Sequence, residues 1–160
     1  MVTFLAILIA LTPCQTGARI PDASKKEFIN LLQTLPFEGE FYTDEAVEKA
    51  GPYLPVLFAL SEKDINKYAI YPFAAISRGL CDQKKHRDYA VTHFSEIQHP
   101  ALKLFWAAML FDGDAAGSTE IVRFLKGALG SKKEAKVLSQ IVGPDFEDFK
   151  RRVIAYPINE

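Results

Sequence analysis

The sequence predicts an all-α fold, and three observations predict it. Ser24, Ser61 and Ser131 are each followed three residues later by an acid (Glu27, Asp64 and Glu134) and then by apolar residues at helical spacing. In this arrangement the serine oxygen accepts from the third backbone N–H of a helix, and the acid reaches back to the cap. No segment alternates polar and apolar residues at period two, so strand content should be close to nil. From Ala101 to Phe111 the only charged side chain is Lys103, which marks a helix buried on most sides, with Trp106 in the middle of the core.

The helices then follow from their start and stop signals. The first is expected over 25–35, ending before Pro36. The second starts after Thr43, where Asp44 and Glu45 suit the positive helix N-terminus, bends at Gly51-Pro52 and ends near Leu60. A third spans 62–79 with a kink at Pro72, and a fourth spans 84–98. Pro100 opens the fifth at the favoured first position, and it ends near Asp112. The sixth follows Ser118 and stops at Gly130, and the seventh covers 132–142 with Gly143 past its end. The eighth covers 144–156, where Phe146, Phe149, Val153 and Tyr156 form one stripe that should cap the core. The stretch from Phe37 to Tyr42 is the longest irregular segment before the core helices, with room for an extended path.

The chain of 160 residues suits one domain, expected over 19–160. Its 19 basic and 20 acidic residues leave a net charge of −1. A nucleic-acid binder would show a basic excess, so that class is set aside. The basic pairs, including Lys25-Lys26 and Arg151-Arg152, read as solvated helix faces.

Residues 1–18 carry no charged side chain, and 2–11 is nearly all apolar. That run is too short to span a bilayer but has the length of a secretory signal's apolar region. Thr16, Gly17 and Ala18 supply a small-residue cleavage site, so the expectation is a signal peptide over 1–18 and an exported protein, periplasmic or secreted. The basic residue that usually precedes such a run is missing. The segment Leu11-Thr12-Pro13-Cys14 also resembles a lipoprotein box, in which Cys14 would be acylated and the protein anchored in the cell envelope. A membrane partner is expected only in that case. After cleavage Cys81 would be the sole thiol and is read as a small apolar filler.

Helix pairs recur at intervals of about 40 residues. First helices start near Asp44, Lys84 and Thr119, and their partners near Glu62, Pro100 and Lys132. Leu54-Pro55, Leu57 and Leu60, with Asp64 in the turn and Ala69, Phe73 and Ala74 after it, resemble the HEAT-repeat family of α-solenoids. So do His99-Pro100, Leu102-Lys103, Ala107-Ala108 and Leu110. The resemblance covers about 44–142 and implies stacked helix pairs that hold another protein on the surface lined by second helices. The polar positions it places there are Asn66, Lys67, Arg78, Lys103 and Lys136. An irregular helical bundle is the alternative fold.

Chemistry is sparse. His86 and His93 are seven residues apart on one helix, with Asp82 and Glu96 near, which makes them candidate metal ligands for a metal-dependent or small-molecule-binding domain. A closed metal site needs more ligands than two, and packing at a core edge is the alternative. Asp112, Asp114 and Gly117 echo a calcium loop, but Ala116 and Arg123 stand where it needs ligands, so a helix-to-helix turn is expected. No phosphate loop, nucleophile elbow or Cys-x-x-Cys pair is present. The expectation is therefore a protein-interaction module or scaffold with an unidentified protein partner, no cofactor and no evident catalytic residue.

Overall fold

The computed structural model describes residues 20–66, 69–113 and 118–158. The expected signal peptide, Cys14, Lys67 and the Asp114–Gly117 part of the calcium-like loop lie outside the described residues. The described chain is mostly helical: α1 (Asp22–Thr34), α2 (Asp44–Ala50), α3 (Leu54–Ala59), α4 (Ile70–Asp82), α5 (Lys84–Thr92), α6 (Pro100–Asp112), α7 (Thr119–Gly130), α8 (Lys132–Val142) and α9 (Phe146–Ala155). Two short strands, β1 (Phe37–Glu38) and β2 (Phe41–Tyr42), pair antiparallel, with Phe37 opposite Tyr42. Gly39 turns this hairpin at a φ of 67°, a region glycine enters without Cβ strain.

Caps decide most boundaries. Thr43 accepts from the Ala46 N–H (3.2 Å), Ser118 from Ile121 (3.5 Å) and Ser131 from Glu134 (3.4 Å). Each satisfies one of the donors that a helix start leaves without an intrahelical acceptor. Gly143 adopts a φ of 74° and turns the chain from α8 through a short 3-10 turn, Gly143–Asp145, into α9.

The fourth helix, expected over 84–98, ends at Thr92, and two expected helix starts are corrected. Ser24 does not cap α1, because the helix already begins at Asp22 behind extended Pro21, whose carbonyl accepts from the Ser24 and Lys25 N–H groups. Ser61 and Asp64 do bond to each other (Ser61 N–H to Asp64 Oδ2, 2.8 Å), but they close a turn rather than open a helix over 62–79. The reason is Pro72. It has no N–H and its ring clashes with a carbonyl four residues back, so it fits only in a first turn. The helix accordingly starts at Ile70, which puts Pro72 in its first turn rather than in its interior.

Lys25, read from the sequence as solvated, instead ties α1 to this turn through Asp64 (2.8 Å). Burial alone would raise the Asp64 carboxyl, but bonds from Lys25 and Ser61 hold it below its usual range.

Packing is ordered along the chain. The principal partners of each helix are the next one and the next but one: α2 lies on α4, α4 on α6, α6 on α8, while α1 lies on α3 and α7 on α9. The centre is α6, flanked by α4, α5, α7 and α8. Trp106 is fully buried there, its ring edge-on to Phe58 at 5.3 Å and its indole N–H donating to buried Ser77 Oγ at 3.1 Å. Phe149 and Val153 of α9 are also fully buried, and Phe149 meets Phe111 edge-on at 5.4 Å, so α9 closes this end as a cap. Gly79 lets α4 press directly on α2, since a Cβ there would sit 2.5 Å from Val47 Cγ2.

A candidate binding cleft at the ends of α4, α6 and α8

A cleft of about 750 Å³ opens where α4, α6 and α8 end and α9 begins. Its floor is apolar: Phe105, Ala108 and Met109 from α6, Ile141 and Val142 from α8. Helical spacing sets this, since α6 presents those three residues on the side it does not bury against Phe58 and Ser77. The rim is charged. Arg78, Asp82 and Arg87 stand on the α4–α5 side, and Asp112, Asp145, Asp148 and Arg152 on the α6–α9 side.

The rim charges are largely engaged with one another. Arg87 donates to the Cys81 and Asp82 carbonyls (2.8 and 2.9 Å), satisfying the exposed end of α4 and complementing its dipole. Arg152 bridges Asp112 (2.7 Å) and Asp148 (2.9 Å), with its guanidinium over the Phe111 and Phe149 rings at 5.7 and 5.9 Å. Arg151 also pairs with Asp148. Hydrogen bonds from Arg151 and Arg152 hold the Asp148 carboxyl below its ordinary range, and the bond to Asp112 raises the Arg152 guanidinium further. Arg78 is exposed and lies over the Phe41 ring at 5.1 Å.

Cys81 lines the cleft, but burial pushes its thiol up to about 11. At neutral pH it is a protonated filler and not a nucleophile. What this arrangement can do is bind: an apolar floor, a rim of both signs, and two carboxylates, Asp112 and Asp148, already balanced by Arg151 and Arg152.

The residues singled out from the sequence are dispersed. Arg78 is in the cleft. Asn66 borders a separate groove beside α1 and the hairpin. Lys103 is half-buried with its ammonium over Phe94 and Phe124 at 5.1 and 5.5 Å, a packed position. Lys136 is exposed on α8, its carbonyl accepting from Ser139.

His86 and His93 enter different surroundings. His86 is buried against Gly51, where a Cβ would meet its Cε1 and Nε2 at 3.0 Å. His93 lies one residue past α5, stacked on Tyr89 (4.1 Å) and bonded to Glu96 (2.9 Å). Among the described residues no group of three or more His, Cys, Asp or Glu is placed to hold a metal ion.

The sequence gives no sign of Arg87's role, offers Asp112 only as the first position of a calcium-like loop, and presents Arg152 only as part of a solvated basic pair. The Asp148–Arg152 spacing of four was the available signal, since residues so spaced share a helix face. The Arg152–Asp112 contact joins positions 40 apart and is visible only in the fold.

The fold and this cleft define the class: an all-α domain with a charged-rim surface cleft. Scans against protein-family models, curated proteins and solved structures find no match for the chain. No helix among the described residues is long and apolar enough to cross a membrane.

Proposed function

We propose that the chain is an exported helical-repeat module that holds another protein, and that its docking surface is the cleft across α4, α6, α8 and α9. The observation that carries this is the origin of the cleft walls. The second helices of three successive pairs contribute to one concavity, as a HEAT-like stack would arrange them. The ladder of α2 on α4, α4 on α6 and α6 on α8 supports the stacked reading over an irregular bundle. The volume lies in the range of specific ligand sites, and an apolar floor with a polar rim is the anatomy of a protein interface.

The test is site-specific photocrosslinking in the native cell. A photoreactive residue at Met109 is expected to capture one discrete protein, and Arg78→Glu to abolish that capture with the helical circular dichroism intact. The same group at Lys133, exposed on α8, is expected to capture nothing. Equal capture from both positions, or from neither, overturns the reading. Mass spectrometry of the mature N-terminus tests export separately: a chain starting at Arg19 fits a cleaved signal, an acylated Cys14 fits an envelope anchor, and an intact Met1 refutes both.

A further inference from the structure

Beside α1 lies a groove of about 310 Å³, separate from the cleft. Its walls come from α1, the hairpin, the turn that follows α3 and the start of α4. The hairpin register decides which face lines it. Phe37 stands opposite Tyr42, and both turn to the groove. Glu38 and Phe41 share the other face, where Arg78 lies over the Phe41 ring.

The groove has a polar end and an apolar end. Asp64 bonds to Lys25, one helical turn before Ile29, so its carboxylate stands toward the N-terminal half of α1. At the other end the Tyr42 hydroxyl donates to the Leu32 carbonyl at 3.2 Å, and Phe37 packs on Tyr42 with ring centroids 3.9 Å apart. Leu32, Tyr42, Ile65 and Phe73 of the lining are buried, so these walls are anchored in the core.

The polar end sets the chemistry of an occupant. Lys25 Nζ, the Ser61 N–H and the Ser61 hydroxyl all donate to one oxygen of Asp64, Oδ2, at 2.8, 2.8 and 2.9 Å. Oδ1 receives no hydrogen bond from the described residues, and Asp64 is only half-buried. A carboxylate oxygen accepts and never donates, so this one calls for a donor. Bonds from Lys25 and Ser61 keep the carboxyl ionised, so an anionic head is repelled. Lys25 already balances the charge, so a cationic head gains little over a neutral one. Gln33 and Asn66, the other polar residues of the lining, are exposed.

We infer that this groove binds a small neutral amphiphile. Its single-ring or short aliphatic body lies against Leu32, Phe37, Tyr42 and Phe73, and one hydroxyl or N–H head donates to Asp64 Oδ1. The volume is at the lower limit of small-molecule sites, which suits a compact body.

The test titrates the full chain with three probes followed by methyl NMR. They are p-cresol, p-methylanisole, which has nearly the same body but no proton on its oxygen, and p-methylbenzylamine, whose head is cationic. Saturation by p-cresol is expected with a Kd below about 1 mM. The methyl signals of Ile29, Leu32 and Ile65 should shift while those of Met109 and Ile141 in the cleft stay in place, so this inference and the cleft reading fail separately. Binding of p-methylanisole should be about ten-fold weaker, and p-methylbenzylamine should bind no more tightly than p-cresol. Asp64→Ala should erase the difference between p-cresol and p-methylanisole. If that variant loses its helical circular dichroism, the preference measured on the parent chain decides. Ala69→Trp, which fills the groove from an exposed position, should abolish binding of both. The inference is overturned by no saturation, by equal affinity of the parent for p-cresol and p-methylanisole, by tighter binding of the amine, or by shifts confined to the cleft.

Discussion

Gly79→Ala is expected to destabilise the protein, although the same substitution in an open helix stabilises it. Replacing a helix-interior glycine with alanine gains about 1 kcal/mol of propensity. At Gly79 the new Cβ would lie 2.5 Å from Val47 Cγ2, and ordinary van der Waals contact begins at 3.4 Å. Close to 1 Å must be found by moving α4 from α2 or by turning Val47. Val47 is buried and β-branched, so its χ1 is stiff, and its Cβ and Cγ1 already stand 3.6 Å from the same point. Overpacking of this kind costs roughly 1–3 kcal/mol. The net loss is then about 1 kcal/mol, or a Tm drop of about 2–4 °C for a domain this size.

Gly127 provides the control, because it is helical in α7 with nothing within 4 Å of its Cβ position. Gly127→Ala should raise stability by about 0.5–1 kcal/mol. Urea denaturation of both variants, and of Gly79→Ala combined with Val47→Ala, is the assay. In the double variant the alanine methyl occupies space vacated by Val47, so the two changes should couple favourably by roughly 1–3 kcal/mol. A stability gain at Gly79 equal to that at Gly127 would refute the close approach of α2 and α4.

Three further outcomes are expected. His86 and His99 are both buried with a ring nitrogen lacking a partner among the described residues, and burial lowers both titrations, reinforced by Lys85 at His86 and opposed by Glu62 at His99. The folded state therefore holds neutral rings that the unfolded chain protonates first. Stability is full above about pH 6.5 and falls as pH drops below it, by at most about 2.7 kcal/mol per pH unit for the two together. Urea midpoints between pH 7 and 5 should show this slope, and His86→Leu with His99→Leu should flatten it; a flat parent profile counts against the buried rings. Cys81, pushed from its ordinary 9.0 to about 11, should react with iodoacetamide about a hundred-fold more slowly than a free thiol in a Cys14→Ser background, and full-rate alkylation would contradict its burial. Ser77→Ala strips the Trp106 N–H of its acceptor and should cost about 1–3 kcal/mol by denaturation, whereas Ser139→Ala on exposed α8 should cost little.

Much of the fold was legible because local chemistry and global packing agree. The bounds of α6, α7 and α8 follow from Pro100, Ser118, Gly130, Ser131 and Gly143, each acting within one turn of its helix. The segment from Ser61 to Ala69 misled because Ser61 and Asp64 form the same bonds in a turn as at a helix start. Only Pro72, eight residues past Asp64, selects between them. The hairpin showed as an irregular stretch but not as strands, because two-residue strands are too short to display a period. The candidate sites were mostly illegible. Arg78 was the one cleft residue proposed for binding, and its partners come from helices far along the chain. The aromatics of the hairpin were visible as residues, yet the groove beside them needs α1 and α4 brought together.

The neighbour-to-neighbour packing of the helices bears on how the chain comes together. When each helix rests chiefly on those one or two places away, few contacts require distant segments to meet, and little loop-closure entropy must be overcome before packing begins. Such a chain assembles quickly by adding helices to whichever pair forms first. It also comes apart from its ends inward: α1 and α9, each covered on one side, open at lower cost than α6, which has neighbours in both directions. Amide exchange should therefore rank the helices by their distance from Trp106, with its own backbone exchanging last.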